Sequence, residues 1–164
     1  LQVDGSDCSL IAALAKVVGL SGQACAVAQT SGKAELFEKS AAKEGVLVEV
    51  KVAELTLFPY QDDTFDLVLL KQALGELNQT RRVLCLQQVF RVLKVTGRCL
   101  VIDTAIRGGL GALFSQRSID RRYSELGGAE HALKEEGFHG VRLLGEREGL
   151  AFVEGTKPTS RSSD

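Results

Sequence analysis

The spacing of apolar residues along the chain alternates between two patterns that predict strands and helices in turn. Short apolar or alternating runs that predict strands lie at 1–3, 24–28, 46–52, 65–70 and 99–102. Apolar residues spaced three and four apart predict helices at 9–18, 31–44, 80–94 and 123–136. Because the strand at 65–70 lacks polar alternation, we expect helices to cover both of its faces.

The end of the chain has a different pattern. Two apolar segments, 141–144 and 150–153, are separated by a short polar turn, which predicts an antiparallel hairpin. Upstream of it, Gly97 follows the helix at 80–94 and reads as a helix stop. Strands that alternate with helices predict an α/β fold with a doubly wound, largely parallel sheet.

Length and composition limit the alternatives. The chain has 164 residues, 45% of them hydrophobic and 25% charged, which is typical of one globular domain. A net charge of −1 gives no sign of a nucleic-acid surface, and no apolar run approaches the roughly 20 residues of a membrane span. The chain begins inside a strand and contains no methionine, so we expect an amino-terminally truncated domain at 1–155 and a flexible polar tail at 156–164.

The cysteines and histidines show no spacing typical of a metal site. Four cysteines are scattered along the chain without a Cys-x-x-Cys pair, which favours buried reduced thiols and a cytoplasmic, reducing location. Neither His131 nor His139 stands in a motif with a partner acid, so no general base is predicted. Arg117, Arg121 and Arg122 form a small basic patch, which we interpret as a solvated face with a protein contact as the alternative.

The most specific motif joins two of the predicted strands. Phe65-Asp66 opens one strand and, after a spacer of about twenty residues, Arg91-Val92-Leu93-Lys94 precedes Gly97 and the next strand. Pro59-Tyr60 stands in the loop before Phe65. Together with the order of the elements, this resembles the class I methyltransferase superfamily, which binds S-adenosylmethionine. The resemblance implies a doubly wound, mostly parallel, seven-stranded Rossmann-like sheet with a terminal antiparallel hairpin, although Val95-Thr96-Gly97 replaces the family's Pro-Gly-Gly.

The resemblance also assigns cofactor positions in the first loop, and the residues found there depart from the family pattern. The family has an acidic residue at the end of the first strand, followed by Gly-x-Gly-x-Gly, whose glycines let the backbone approach the ligand. In this chain the acidic position falls on Gln2, and the glycine positions fall on Asp4, Ser6 and Cys8. Side chains there are expected to fill the space of the methionine moiety. Asp7 is expected to cap the helix that starts near Ser9.

Two further cofactor positions follow the second and third strands. Gln29 stands where the family has the acid that holds the ribose hydroxyls, and a neutral amide is a poorer partner than a carboxylate. Glu54 stands near the adenine position and is otherwise an exposed loop residue. Each lost charged hydrogen bond is worth roughly 1.5–3 kcal/mol. We therefore expect weak S-adenosylmethionine binding or none.

Two hypotheses follow for the function. The first is a methyltransferase-like module without catalysis that binds a protein partner. Phe65-Asp66, the segment from Arg91 to Gly97 and the ending Gly155-Thr156-Lys157-Pro158 are loosely similar to the amino-terminal domain of the anamorsin family, which implies cytosolic iron–sulfur protein assembly. The alternative is an active S-adenosylmethionine-dependent methyltransferase with a divergent loop. Residues 71–78 lack the Asn-Pro-Pro-Tyr of amino-methylating enzymes, so no catalytic residue is predicted.

Overall fold

The structure is a computed structural model that describes residues 1–4, 7–19, 22–105 and 120–159. Seven strands occur in these ranges: β1 (Gln2–Val3), β2 (Cys25–Ala28), β3 (Glu49–Val52), β4 (Phe65–Lys71), β5 (Leu93–Thr104), β6 (His139–Arg147) and β7 (Leu150–Thr156). Five helices accompany them: α1 (Ser9–Val18), α2 (Ser31–Glu44), α3 (Gln79–Val92), α4 (Arg121–Glu125) and α5 (Gly128–Glu135). The observed bounds of α1 and α2 coincide with those predicted from the spacing of apolar residues.

All seven strands form one sheet in the order β3-β2-β1-β4-β5-β7-β6. The first five strands of this order are parallel, and β7 is antiparallel to both of its neighbours. The predicted fold class is therefore confirmed, including the terminal antiparallel hairpin. β4 and β5 are adjacent inner strands, with Val68 opposite Cys99 and Leu70 opposite Val101.

Helices cover both faces of the sheet, so two apolar cores form. The smaller core joins Ile11 of α1 and Phe37 of α2 to the small side chains of β2. The larger core contains most of the buried side chains of β4, β5 and α3. Within α3 the buried positions include Cys85, Leu86 and Val89, and the partly buried Phe90 packs against the same core.

Arg91 of the sequence motif has a structural role. Its guanidinium donates hydrogen bonds to the carbonyl oxygens of Tyr60 at 2.7 Å and Phe58 at 3.0 Å. These bonds hold the proline-aromatic loop against α3, and the ring of Tyr60 meets Phe65 edge-on at 4.9 Å. The Arg91 segment of the motif thus binds the proline-aromatic loop that precedes Phe65.

The end of α3 differs from its prediction. The helix ends at Val92 and the extended chain of β5 begins at Leu93, so Gly97 is not a helix stop but a residue inside β5. A Cβ atom at Gly97 would lie 2.7 Å from the carbonyl oxygen of Lys94 and 3.1 Å from that of Phe65. Glycine is therefore required there by close backbone packing.

Other boundaries also differ from the predictions. The single helix predicted at 123–136 is two helices, because Gly127 has a φ of +105° and breaks the run. The predicted tail at 156–164 begins inside β7, and the backbone of Lys157 exchanges hydrogen bonds with Thr96 and Gly97. Residues 106–119 and 160–164 lie outside the described residues, and with them Arg117 of the predicted basic patch. None of the described helices has the length and apolar character needed to cross a membrane.

Candidate functional site

The candidate site lies at the carboxyl edge of the parallel strands, where open α/β sheets generally bind ligands. A cavity of about 200 Å³ is found there, next to the ends of β1, β2 and β4. Its polar lining comes from Asp4, Gln29, Lys33, Gln72, Glu76 and Arg81. Leu55, Ala73 and Leu77 add a smaller apolar part.

Asp4 follows β1 directly and its carboxylate is buried. The residue is 2% exposed, and one of its oxygens accepts a hydrogen bond from Nε2 of Gln29 at 2.5 Å. Nζ of Lys33 lies 2.9 Å from each of the two carboxylate oxygens. Among the described residues, no donor meets Oδ1 in hydrogen-bond geometry, so its partner there is the ion pair with Lys33. The first glycine position of the family pattern thus holds a paired carboxylate.

The rest of the loop after β1 is also held by internal contacts. Gln2 is fully buried, and its Nε2 donates to the carbonyl oxygen of Asp7 at 2.8 Å. Asp7 accepts a hydrogen bond from the backbone N–H of Ser9 at 2.9 Å, but the cap residue of α1 is Cys8, whose side chain makes no cap hydrogen bond, so the predicted cap is wrong. Asp7 also pairs with Lys71 at 2.6 Å, and the hydrogen bonds from Lys71 and Ser9 lower the pKa of Asp7 to about 2.

The residues at the ribose and adenine positions have partners of their own. Gln29 lines the cavity, but its amide N–H₂ donates to Asp4. Glu54 is paired with Arg81 at 2.8 Å, and its side chain is 69% exposed. Of the six predicted cofactor residues, Asp4 and Gln29 lie together in the cavity lining. Glu54 is not part of the lining but pairs with Arg81, which is.

Of the two remaining loop positions, Cys8 does not line the described cavity. Ser6 lies outside the described residues. Cys8 is half-buried, and burial together with the negative charges of Asp4 and Asp7 raises the pKa of its thiol. A thiol in that environment stays protonated and is a poor nucleophile.

The described cavity is smaller than those that usually hold ligands of the size of S-adenosylmethionine. Pockets for ligands of that size typically have volumes of about 300–1,000 Å³, whereas this cavity measures about 200 Å³. The buried carboxylate of Asp4 occupies the place where the family pattern has bare backbone. Gln29 offers a single amide oxygen as acceptor at the position where the family pattern has a carboxylate, while its N–H₂ group donates to Asp4. No step of a methyl-transfer reaction is therefore derived from this edge.

A second polar cluster, which the sequence did not reveal, lies on the other side of the loop after β4. The guanidinium of Arg82 donates to the carbonyl oxygens of Leu74 at 3.0 Å and Leu77 at 2.5 Å. It also pairs with Asp120 at 2.8 Å and lies over the ring of Tyr123 at 4.2 Å. In the sequence Arg82 resembles its exposed neighbour Arg81, and only its position on the buried side of α3 distinguishes the two.

Tyr123 extends this cluster to the end of β5. Its hydroxyl donates to the carboxylate of Asp103 at 3.1 Å, and burial raises the pKa of Asp103 above its usual value. Both residues also line a separate cavity of about 290 Å³. The carboxylate of Asp103, held by the hydroxyl of Tyr123, is the group that could accept a proton in a reaction at this edge.

Within the described residues, no three histidine, cysteine or acidic side chains come together as metal ligands. Cys25, Cys85 and Cys99 are buried free thiols, and burial raises the pKa of each. The expectation of buried reduced thiols is thus met at these three positions.

Comparison with known proteins places the chain in a family. The model of the family described as "Methyltransferase domain" matches residues 4–143. The ubiquinone/menaquinone biosynthesis C-methyltransferase UbiE of Marinomonas sp. (strain MWYL1) is 30% identical over 105 residues, which are 63% of this chain and 41% of that protein. The chain thus spans well under half the length of this relative.

Solved structures agree on the fold. A SAM-dependent methyltransferase from Aquifex aeolicus has a TM-score of 0.74 at 18% identity, covering 94% of this chain and 80% of its own. The [4+2]-cyclase SpnF has a TM-score of 0.68 at 15% identity, covering 97% of this chain and 74% of its own. These likenesses concern the fold, which in SpnF belongs to a protein named as a cyclase. By the family match and the topology together, the chain belongs to the methyltransferase domain family and has the class I S-adenosylmethionine-dependent methyltransferase fold.

Proposed function

We propose that this domain does not catalyse methyl transfer and acts as a protein-interaction module with a methyltransferase fold. The observation that carries the proposal is the buried carboxylate of Asp4, held by Gln29 and Lys33 in the cofactor cavity. A bound cofactor would have to displace that carboxylate or share a space of about 200 Å³ with it.

The expected free energy of cofactor binding is small because the cofactor would lose several contacts. The family's ribose acid is replaced by Gln29, and Gln2 stands in place of the acid at the end of β1. Each charged hydrogen bond contributes roughly 1.5–3 kcal/mol, and micromolar binding corresponds to only about 8 kcal/mol in total. Losing two such bonds and breaking the Asp4–Lys33 pair would use most of that free energy. We therefore expect the dissociation constant for S-adenosylmethionine to exceed about 1 mM.

Isothermal titration calorimetry with S-adenosylmethionine, and separately with S-adenosylhomocysteine, tests this expectation. A glycine-restored variant that carries Asp4→Gly, Ser6→Gly and Cys8→Gly serves as the comparison, because it reopens the loop positions of the family pattern. We expect no heat of binding from the unmodified chain. A low-micromolar isotherm from the unmodified chain would overturn the proposal.

Binding to a protein partner is tested by a separate measurement of affinity. If a surface carries the function, a partner identified by affinity capture should bind the unmodified chain and the glycine-restored variant with equal affinity. Adding S-adenosylmethionine should leave that affinity unchanged. The loose likeness to the anamorsin domain makes iron–sulfur assembly proteins the first partners to test by direct binding with purified components.

The second candidate function is an active methyltransferase. It is favoured by the 30% identity to a C-methyltransferase and by the Asp103–Tyr123 pair at the end of β5, where a base would be needed. Transfer of a labelled methyl group from S-adenosylmethionine to an acceptor in cell extract, abolished by Asp103→Asn, would support it against the first proposal.

A further inference from the structure

The buried ion pair at the cofactor edge has unequal partners. The side chain of Asp4 is 3% exposed, whereas that of Lys33 is 38% exposed. An ion pair whose partners are both exposed contributes little to stability, because water and salt screen it. A buried carboxylate has no such screening and requires donors to offset its lost hydration. Gln29 and Lys33 supply these donors from the end of β2 and from the first turn of α2.

The backbone conformation of Asp4 is also unusual for a residue other than glycine. Its φ of +36° lies in the left-handed region, which glycine adopts freely and other residues adopt only with strain. The backbone N–H of Asp4 donates to the carbonyl oxygen of Val27 at 2.7 Å, which fixes this geometry. Glycine would be the unstrained choice for this backbone. The strain is therefore offset by what the carboxylate binds.

We infer that Gln29 and Lys33 form a carboxylate-binding site and that Asp4 fills it from within the same chain. The side chain is a built-in ligand: it holds the end of β1 to α2 and lets the domain fold without a bound molecule. This inference rests on the proposed function, because it explains how a site without cofactor remains stable. The class of ligand is a small carboxylate, of which formate and acetate are the simplest examples.

Removing the built-in ligand gives a sharp test. Asp4→Gly relieves the backbone strain and deletes the carboxylate, so the two explanations of Asp4 predict opposite signs. A carboxylate without a binding role predicts an unchanged or raised melting temperature. A built-in ligand predicts a melting temperature lowered by at least about 3 °C, the smallest shift that loss of one charged hydrogen bond gives in a domain of this size.

Chemical rescue then identifies the site. Sodium formate or acetate at about 100 mM should recover at least half of the lost melting temperature in Asp4→Gly, because a ligand that binds only the folded state stabilises it. Sodium chloride at the same ionic strength should not. The double variant Asp4→Gly/Lys33→Met should not respond to formate. Equal recovery with chloride, or recovery in the double variant, would overturn the inference.

Two further variants keep the test decisive if Asp4→Gly folds poorly. Asp4→Asn retains the shape without the charge, so its melting temperature should fall and should not respond to formate. Glu35→Ala removes an exposed carboxylate that is paired with Lys39 and should leave the melting temperature within about 1 °C of the unmodified chain. An Asp4→Asn protein as stable as the unmodified chain would contradict the built-in ligand.

This experiment fails separately from the one that tests the proposed function. If the unmodified chain binds S-adenosylmethionine tightly, the proposed function is wrong whatever the formate data show. If it binds none and Asp4→Gly is nevertheless fully stable, the built-in ligand alone is wrong.

Discussion

Replacing Arg82 by methionine should destabilise the domain far more than the same replacement at Arg81. Both arginines lie in the first turn of α3, one position apart. The side chain of Arg82 is 8% exposed and that of Arg81 is 44% exposed. Methionine keeps much of the aliphatic volume and removes the guanidinium, so the pair of variants isolates the effect of burial on one charged group.

The expected magnitude follows from the contacts of Arg82. Its two hydrogen bonds to the carbonyl oxygens of Leu74 and Leu77 are buried and charge-assisted, each worth roughly 1.5–3 kcal/mol. The stacking on Tyr123 adds about 0.5–2 kcal/mol. Allowing for the packing that methionine restores, we expect Arg82→Met to lower the free energy of unfolding by about 3–5 kcal/mol. Arg81→Met loses only its exposed pair with Glu54 and should lower it by about 1 kcal/mol or less.

Urea denaturation followed by far-ultraviolet circular dichroism measures both variants against the unmodified chain. The slope of the free energy against urea should stay unchanged, so that the midpoints report stability directly. A difference below about 1 kcal/mol between Arg82→Met and Arg81→Met would refute the reasoning, because the buried carbonyl bonds would then contribute nothing beyond a surface contact.

Two further predictions concern the first loop and β5. The lowered pKa of Asp7, about 2 in place of 3.8, means that the unfolded chain binds more protons between these values. This contribution to stability is therefore complete above about pH 4 and lost as the pH falls to about 2. Asp7→Asn should therefore flatten the dependence of the urea midpoint on pH across that window. Gly97→Ala should cost about 1–3 kcal/mol in the same assay, because its Cβ would meet two backbone oxygens; a neutral Gly97→Ala would show that β5 shifts to admit a methyl group.

Much of the fold could be predicted because it depends on local pattern. The apolar runs of β4 and β5 determined which strands lie inside the sheet, and the bounds of α1 and α2 followed from residues three and four apart. The end of α3 was mispredicted because Leu93 and Lys94 continue the helical spacing, while pairing between β4 and β5 extends the chain there. Long-range pairing of this kind leaves little local signal.

The candidate site was predictable in its positions but not in its contacts. The resemblance assigned Asp4 and Gln29 to cofactor positions, and both residues line the cavity. It did not reveal that Lys33 would reach back from α2 to the carboxylate of Asp4, 29 residues away in sequence. Arg82 was missed for the same reason, because its carbonyl and aromatic partners become neighbours only when the loop after β4 folds against α4.

The position of β7 has a consequence for how the chain reaches its folded state. β6 and β7 are joined by the two-residue turn Glu148-Gly149, both residues with positive φ, which matches the twist of a hairpin that can form early from local contacts. Until that hairpin docks, β5 presents unpaired backbone groups along an apolar edge seven residues long, from Arg98 to Thr104. Such an edge is a template for pairing between chains. In the folded sheet the hairpin covers this edge of β5, so we expect damage to the hairpin to appear first as loss of solubility.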